Sequence, residues 1–259
     1  MLQMHLALQF VLLIAPLWFK TVTQAVPPPL SPEQFRRNLL KDRDRPWIED
    51  FYGSDKYLSD EDKNAFKQHL VGVKLGQKLS SPGAVTGSFN EGMYMLGADY
   101  NAKDKKYEAS EVVVKILYGP VDGKILGEVK ALKDVGYFIS SGLLPPYGKP
   151  AILMKKIDGA QIKSTGVWKK ANQSRREELL NQMKLLVKNE IVTWADEKRL
   201  LHVDFTSYNI HVTFDKDDSV KTCRVLDFGF PGIFRVGTSA TKSDIEEWFE
   251  LQWSNRKQW

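Results

Sequence analysis

The sequence predicts an α+β fold: a small, mostly antiparallel sheet with one helix, followed by a helical region. Three observations predict it. Short β-favouring runs broken by glycines fill Val71 to Leu117. One long segment, Leu179 to Trp194, repeats its apolar residues at helical spacing. Two short strand-like runs then surround the polar turn Asp215 to Ser219. The resulting order of strands, helix, strand, long helix, hairpin and tail fits α+β.

The chain has 259 residues, 42% hydrophobic and 27% charged, which suits one moderate domain or a small two-lobed one. The formal charge of +5 is spread along the chain. No basic run with interleaved aromatics stands out, so nucleic acid is not an expected partner. The single cysteine, Cys223, excludes an intrachain disulfide or a cysteine-cluster metal site.

At the N-terminus, Leu6 to Phe19 is apolar except for Gln9 and Pro16. It is shorter than the roughly 20 residues of a membrane span, so no stable span is expected in the mature chain. Thr23 and Ala25 stand at −3 and −1 of a cleavage after Ala25, the pattern of a secretory signal peptide at 1–25. Secretion is therefore expected, the alternative being an intracellular protein or one anchored by the uncleaved segment. Val26 to Pro32 holds four prolines and reads as a linker. The charge-rich stretch up to Gln68 reads as helical turns and loops on the outside of a domain. Asn172-Gln173-Ser174 is a glycosylation sequon.

Val71 to Leu79, Ser88 to Asp99 and Glu111 to Leu117 are the first strand candidates, the last carrying the near-continuous run Val112 to Leu117. Gly127 to Phe138 has helical spacing through Val129, Leu132 and Val135. Ala151 to Ile157 returns to strand character before Gly159. Ser174 and Glu177 form a capping box that opens the long helix, and Ser243 and Glu246 another that opens a short helix ending near Trp253. Ile210 to Phe214 and Thr222 to Leu226 are the hairpin strands.

The stretch His202-Val203-Asp204-Phe205-Thr206-Ser207-Tyr208-Asn209, followed by Asp227-Phe228-Gly229, resembles the catalytic loop and metal-binding motif of the protein-kinase-like superfamily. The resemblance covers about Val71 to Gly232 and implies a two-lobed fold. It divides the chain into an extension at 26–70, a sheet-bearing N-lobe at 71–157 and a truncated, mainly helical C-lobe at 158–259. It also implies transfer of the γ-phosphate of ATP, with Mg²⁺, to a hydroxyl of an unidentified protein or small molecule. Such transfer is chiefly charge management. The resemblance makes Asp204 the residue that orients the acceptor and takes its proton, with Asn209 beside it. Asp227 and Asn209 become oxygen ligands for the metal.

Upstream, Lys115 takes the place of the phosphate-neutralising lysine, and Glu128 on the next helix is its expected partner. Gly83, Gly87 and Ser88 form a glycine turn whose amides could cover phosphates, although the spacing is not Gly-x-Gly-x-x-Gly. Met154 would back the adenine, with backbone groups of Lys155 and Ile157 along its edge. The chain departs from the family at Val203, in place of arginine, and at Thr206, in place of a basic residue. Only 30 residues (259 − 229) follow Gly229. These features resemble compact, atypical members. They leave a second expectation, a nucleotide-binding pseudokinase acting as a secreted interaction module.

Overall fold

The computed structural model describes residues 45–79, 90–102, 105–146 and 148–255. Its strands and helices run in the order β1 (Ile48–Phe51), α1 (Asp60–Lys63), β2 (Leu75–Lys78), β3 (Asn90–Leu96), β4 (Tyr100–Ala102), β5 (Lys105–Tyr107), β6 (Val112–Leu117) and α2 (Gly123–Asp134). These are followed by β7 (Phe138–Leu144), β8 (Lys149–Lys155), β9 (Ala160–Gln161), α3 (Gly166–Lys170), α4 (Gln173–Glu197), β10 (Leu200–His202), β11 (Ile210–Phe214), β12 (Val220–Val225), β13 (Ile233–Val236) and α5 (Lys242–Asn255). The fold is mixed α+β with antiparallel sheets.

The largest sheet has the order β2-β3-β6-β8-β7. All six residues of β6 are buried, as befits a run that is apolar except for Lys115 and lies between two covered faces. Val112, Val114 and Ile116 pack with Leu70, Leu96, Ile139 and Leu153 on one face. Alternation turns Val113 and Lys115 to the other face, toward α2 and the site described below.

α2 begins four residues before the expected Gly127 because Asp122 caps it, accepting from the Lys124 and Ile125 amides at 2.9 and 3.3 Å. It stops before the expected Phe138 because Gly136 turns into the left-handed region at φ +76°. Phe138 instead starts β7. The long helix, α4, is capped by Asn172, whose Oδ1 accepts from Arg175 N at 2.9 Å, rather than by Ser174, which lies inside its first turn. α5 opens on a reciprocal box between Thr241 and Asp244, two residues ahead of the expected Ser243 and Glu246 pair. No described helix is long and apolar enough to cross a membrane.

Among its described residues the expected mainly helical region at 158–259 holds helices of 5, 25 and 14 residues, and with them five short strands, in the sheet β12-β11-β9 and beside β1 in the sheet β1-β13-β10. One expectation about the ends of the chain is corrected. Residues 45–70 are not an outer extension. β1 pairs with β13, and Trp47, Ile48, Tyr52, Leu58 and Phe66 are buried in the main core. These apolar residues lie too irregularly for a periodic pattern, and their partners are remote in sequence. The expected signal peptide and proline-rich linker lie outside the described residues.

Candidate functional site

Lys115 and Glu128 are both nearly inaccessible, at 5% and 4% exposure. Lys115 Nζ lies 2.6 Å from Glu128 Oε1 and 3.4 Å from Asp227 Oδ1. Burial alone would lower the pKa of the ammonium, but the two carboxylates outweigh it and hold Lys115 above its ordinary value. Burial pushes Glu128 up while Lys115 pulls it back. Lys115 in turn holds the Asp227 carboxyl below the usual carboxylate range. The three side chains come from strand, helix and loop, so their meeting is a product of tertiary packing.

Asp227 adopts φ +61°, a left-handed conformation that costs a non-glycine residue roughly 1–2 kcal/mol. The surroundings hold it there. The buried His202 ring places Nε2 3.1 Å from the carbonyl oxygens of both Leu226 and Asp227, and Gly229 N donates to Asp227 Oδ1 at 3.3 Å. A Cβ on Gly229 would stand 3.1 Å from that same oxygen and 3.7 Å from Lys115 Nζ, so the glycine keeps the space beside the triad open. Phe228 is buried and meets His202, Trp194 and Tyr137 at ring-centroid distances of 5.1, 5.4 and 6.2 Å.

Asp204 and Asn209 lie on the loop between β10 and β11. Asn209 Nδ2 donates to both the carbonyl and the Oδ2 of Asp204 at 2.9 Å, tying the two ends of the loop together. That bond commits the amide nitrogen and leaves Oδ1 as the Asn209 atom suited to a cation. The loop backbone is fastened at Val203, whose N–H donates to Gly232 O at 2.8 Å. Between the ends, Phe205 is fully buried against α5, stacked on Phe249 and Trp253.

These groups border a cavity of about 490 Å³, within the range of small-molecule sites of about 300–1,000 Å³. Lys115, Glu128, Asn209 and Asp227 line it, as do Met154, Lys155 and Ile157. β6 and β8 pair Val113 with Met154 and Lys115 with Ile152, so the apolar and charged parts of the cavity are neighbours on one sheet. Met93, Val113, Leu132 and Leu226 supply further apolar wall. Lys155 N donates to Tyr137 O at 2.8 Å, so its amide is engaged within the protein. Asp204 is not among the wall residues; it reaches the cavity through Asn209. Gly83, Gly87 and Ser88 lie outside the described residues.

Some wall residues outside the motif stretch carry no sequence signal for the site. Tyr137 lines the cavity from the turn after α2 and His211 from β11, while Tyr208 lines it from within the motif stretch, beside Asn209. His211 is half-buried, and burial lowers its pKa. Tyr137 reaches the Glu190 carboxylate at 3.2 Å, a contact between the turn after α2 and the long helix α4. Among the described residues no three of His, Cys, Asp and Glu are grouped as a metal centre. A magnesium ion shared with phosphates asks for less, one or two protein carboxylates, and the Asp227 carboxylate and the Asn209 amide oxygen are the wall groups that could hold one.

No family model matches this chain, and no curated protein matches it.

Proposed function

We propose that the chain is an ATP- and magnesium-dependent phosphotransferase of the protein-kinase-like fold, acting on a hydroxyl of a protein or small molecule, and that it is secreted. The observation that carries the reading is the junction of Lys115, Glu128 and Asp227 beside an apolar cavity, with the Asp204–Asn209 pair at its edge. In this reading the five-stranded sheet with α2 is one lobe and the residues after Ile157 are the other.

Bound MgATP supplies the transferable phosphoryl group and a divalent charge on its oxygens. Lys115, kept protonated by its two carboxylates, donates to phosphate oxygens. Glu128 fixes where that ammonium stands. Asp227 and the Asn209 amide oxygen would hold the cation. Asp204, with Oδ2 held by Asn209, accepts the proton of the acceptor hydroxyl, a task for which a positioned carboxylate is suited. Met93, Val113, Met154 and Leu226 exclude water and offer flat apolar contact to a base.

The test is MgATP binding and turnover in the wild type, Asp204→Asn and Asp227→Asn. At 100 times Kd, binding stabilises the fold by about 2.7 kcal/mol, which a melting curve resolves. Asp204→Asn should lose turnover and keep binding. Asp227→Asn should lose turnover and the magnesium-dependent part of binding. No melting shift at millimolar MgATP would sink the nucleotide reading, and binding without turnover would leave the pseudokinase. For secretion, mass spectrometry of protein from a secretory host should find Val26 as the first residue; an intact Met1 on intracellular protein would overturn it.

A further inference from the structure

We propose that residues 45–53 are a positioning element for the site, holding α2 where Glu128 can orient Lys115. The inference rests on the reading above only in taking Lys115 as the functional group.

Three contacts carry it. β1 pairs with β13, the strand that follows Asp227-Phe228-Gly229, and Tyr52 N continues the pairing by donating to Ile233 O at 3.2 Å. Phe51 meets Phe230 edge-on, with ring centroids 5.5 Å apart. This anchors the segment to the part of the chain that carries Asp227.

The second contact is backbone against backbone. Gly53 presses on the first turns of α2 so closely that a Cβ at Gly53 would fall on the Gly123 carbonyl oxygen and lie 2.7 Å from the Gly127 Cα. From the other side, a Cβ at Gly127 would lie 2.6 Å from the Gly53 Cα. Gly123 and Gly127 are four apart and share one helix face. Glu128 is the next residue, turned toward β6. Gly127 thus sits in the helix interior, where glycine costs up to about 1 kcal/mol relative to alanine, and with Gly123 at the first helical position it forms the face that meets Gly53.

The third contact holds the other end of the helix. The buried Tyr52 hydroxyl lies 2.7 Å from Asp134 Oδ2, on the last residue of α2, and 3.0 Å from Lys198 O at the end of α4. Both ends of α2 are therefore referenced to residues 52 and 53. A side chain at 53 would push the helix aside by more than an ångström, and a 2.6 Å charge-assisted bond does not survive such a shift.

The experiment reads Lys115 itself. Full-length wild type, Gly53→Ala, Tyr52→Phe, Glu128→Gln and Gly53→Ala/Glu128→Gln are treated with an amine-acylating reagent, and modification of Lys115 is followed by mass spectrometry. Breaking the 2.6 Å bond to Glu128 frees the Lys115 amine for the reagent. Gly53→Ala should therefore label Lys115 severalfold faster than wild type. Tyr52→Phe, which keeps the ring and loses the hydroxyl, should label faster by a smaller factor. In the Glu128→Gln background, Gly53→Ala should add nothing, because its effect runs through that carboxylate; a general loosening would add to it.

Wild-type labelling rates in folded Gly53→Ala and Tyr52→Phe overturn the proposal, as does a full additional increase in the double variant. If Gly53→Ala does not fold, Tyr52→Phe decides. The assay uses no nucleotide, so a failure of MgATP to bind removes the functional reading and leaves this test standing.

Discussion

Replacing Glu128 with glutamine isolates the charge that the buried pair contributes. The side chain keeps its shape, while Lys115 loses the carboxylate 2.6 Å away. Removing one partner of a buried pair costs about 3–5 kcal/mol, because the other charge stays buried. Lys115 retains Asp227 at 3.4 Å and is not left wholly unpaired, so the lower end of that range applies, about 3 kcal/mol. For a chain of this size each kcal/mol moves the melting temperature by about 2–4 °C, which gives a fall of about 6–12 °C. Calorimetry at low and high salt is the assay; a buried pair is screened little, so the fall should persist in salt. Lys115→Met/Glu128→Leu removes both charges and fills their space, and should melt at or above wild type while showing no MgATP stabilisation. A Glu128→Gln melting point within about 2 °C of wild type would refute the stability argument. A double variant as unstable as the single would refute the assignment of the loss to an uncompensated charge.

Glu190 is nearly buried and its pKa is pushed up to about 7, by burial against the bonds from Val225 N, Arg224 and Tyr137. The native state therefore holds a proton that the unfolded chain releases near 4.5, so stability from this group is present below that pH and is lost as pH rises to about 7. Glu190→Gln should remove about 3 kcal/mol of that pH dependence, appearing in urea titrations as a variant more stable than wild type at pH 8; equal pH slopes would contradict this. Trp253→Ala should cost about 3 kcal/mol, since the buried ring packs on Phe205 and Phe249, and a melting point like wild type would show that the end of α5 carries no load. Gly136→Ala meets no atom within 4 Å but must adopt φ +76°, so it should cost about 1–2 kcal/mol by denaturant melts through backbone conformation alone. An unchanged midpoint would refute that account.

The legible parts of the fold are those whose signal is local. β6 is readable because Val112 to Leu117 is apolar on both faces, and α4 because Leu179, Met183, Val187 and Ile191 recur every four residues and are all buried. β7 is not readable, since its centre is Ser140-Ser141-Gly142. Its strand character comes from pairing with β8 and from bonds to the 65–70 segment: Ser141 Oγ donates to Ala65 O, and Gln68 Nε2 to Ser141 O, both at 2.7 Å. β1 is silent for the same reason, because Ile-Glu-Asp-Phe becomes a strand only beside β13. At the site, Lys115, Glu128, Asp204, Asn209 and Asp227 stand in motif-like spacing and are brought to one region. Tyr137 has no such spacing, and only folding brings it to the wall that Tyr208 and His211 share with Asn209.

The loop from Val203 to Asn209 is supported from several remote parts of the chain. Gly232 O accepts from Val203 N, and Gly232 N donates to Gly229 O, both at 2.8 Å, which locks the loop to the Asp-Phe-Gly turn. A Cβ on Gly232 would stand 3.0 Å from Gly229 O and 3.3 Å from the Asp204 Cβ, a fit tight enough that a side chain there would have to shift one of them by a few tenths of an ångström. β13 follows at once and is paired on both edges, by β10 and by β1. α5 then covers Phe205 with three aromatic rings, each such pair contributing about 0.5–1.5 kcal/mol beyond its burial. The second edge of β13 is closed by residues 48–51 of β1. The loop is therefore held by the first and last described segments together, and a deletion at either end should reach Asp204 through β13 or through Phe205.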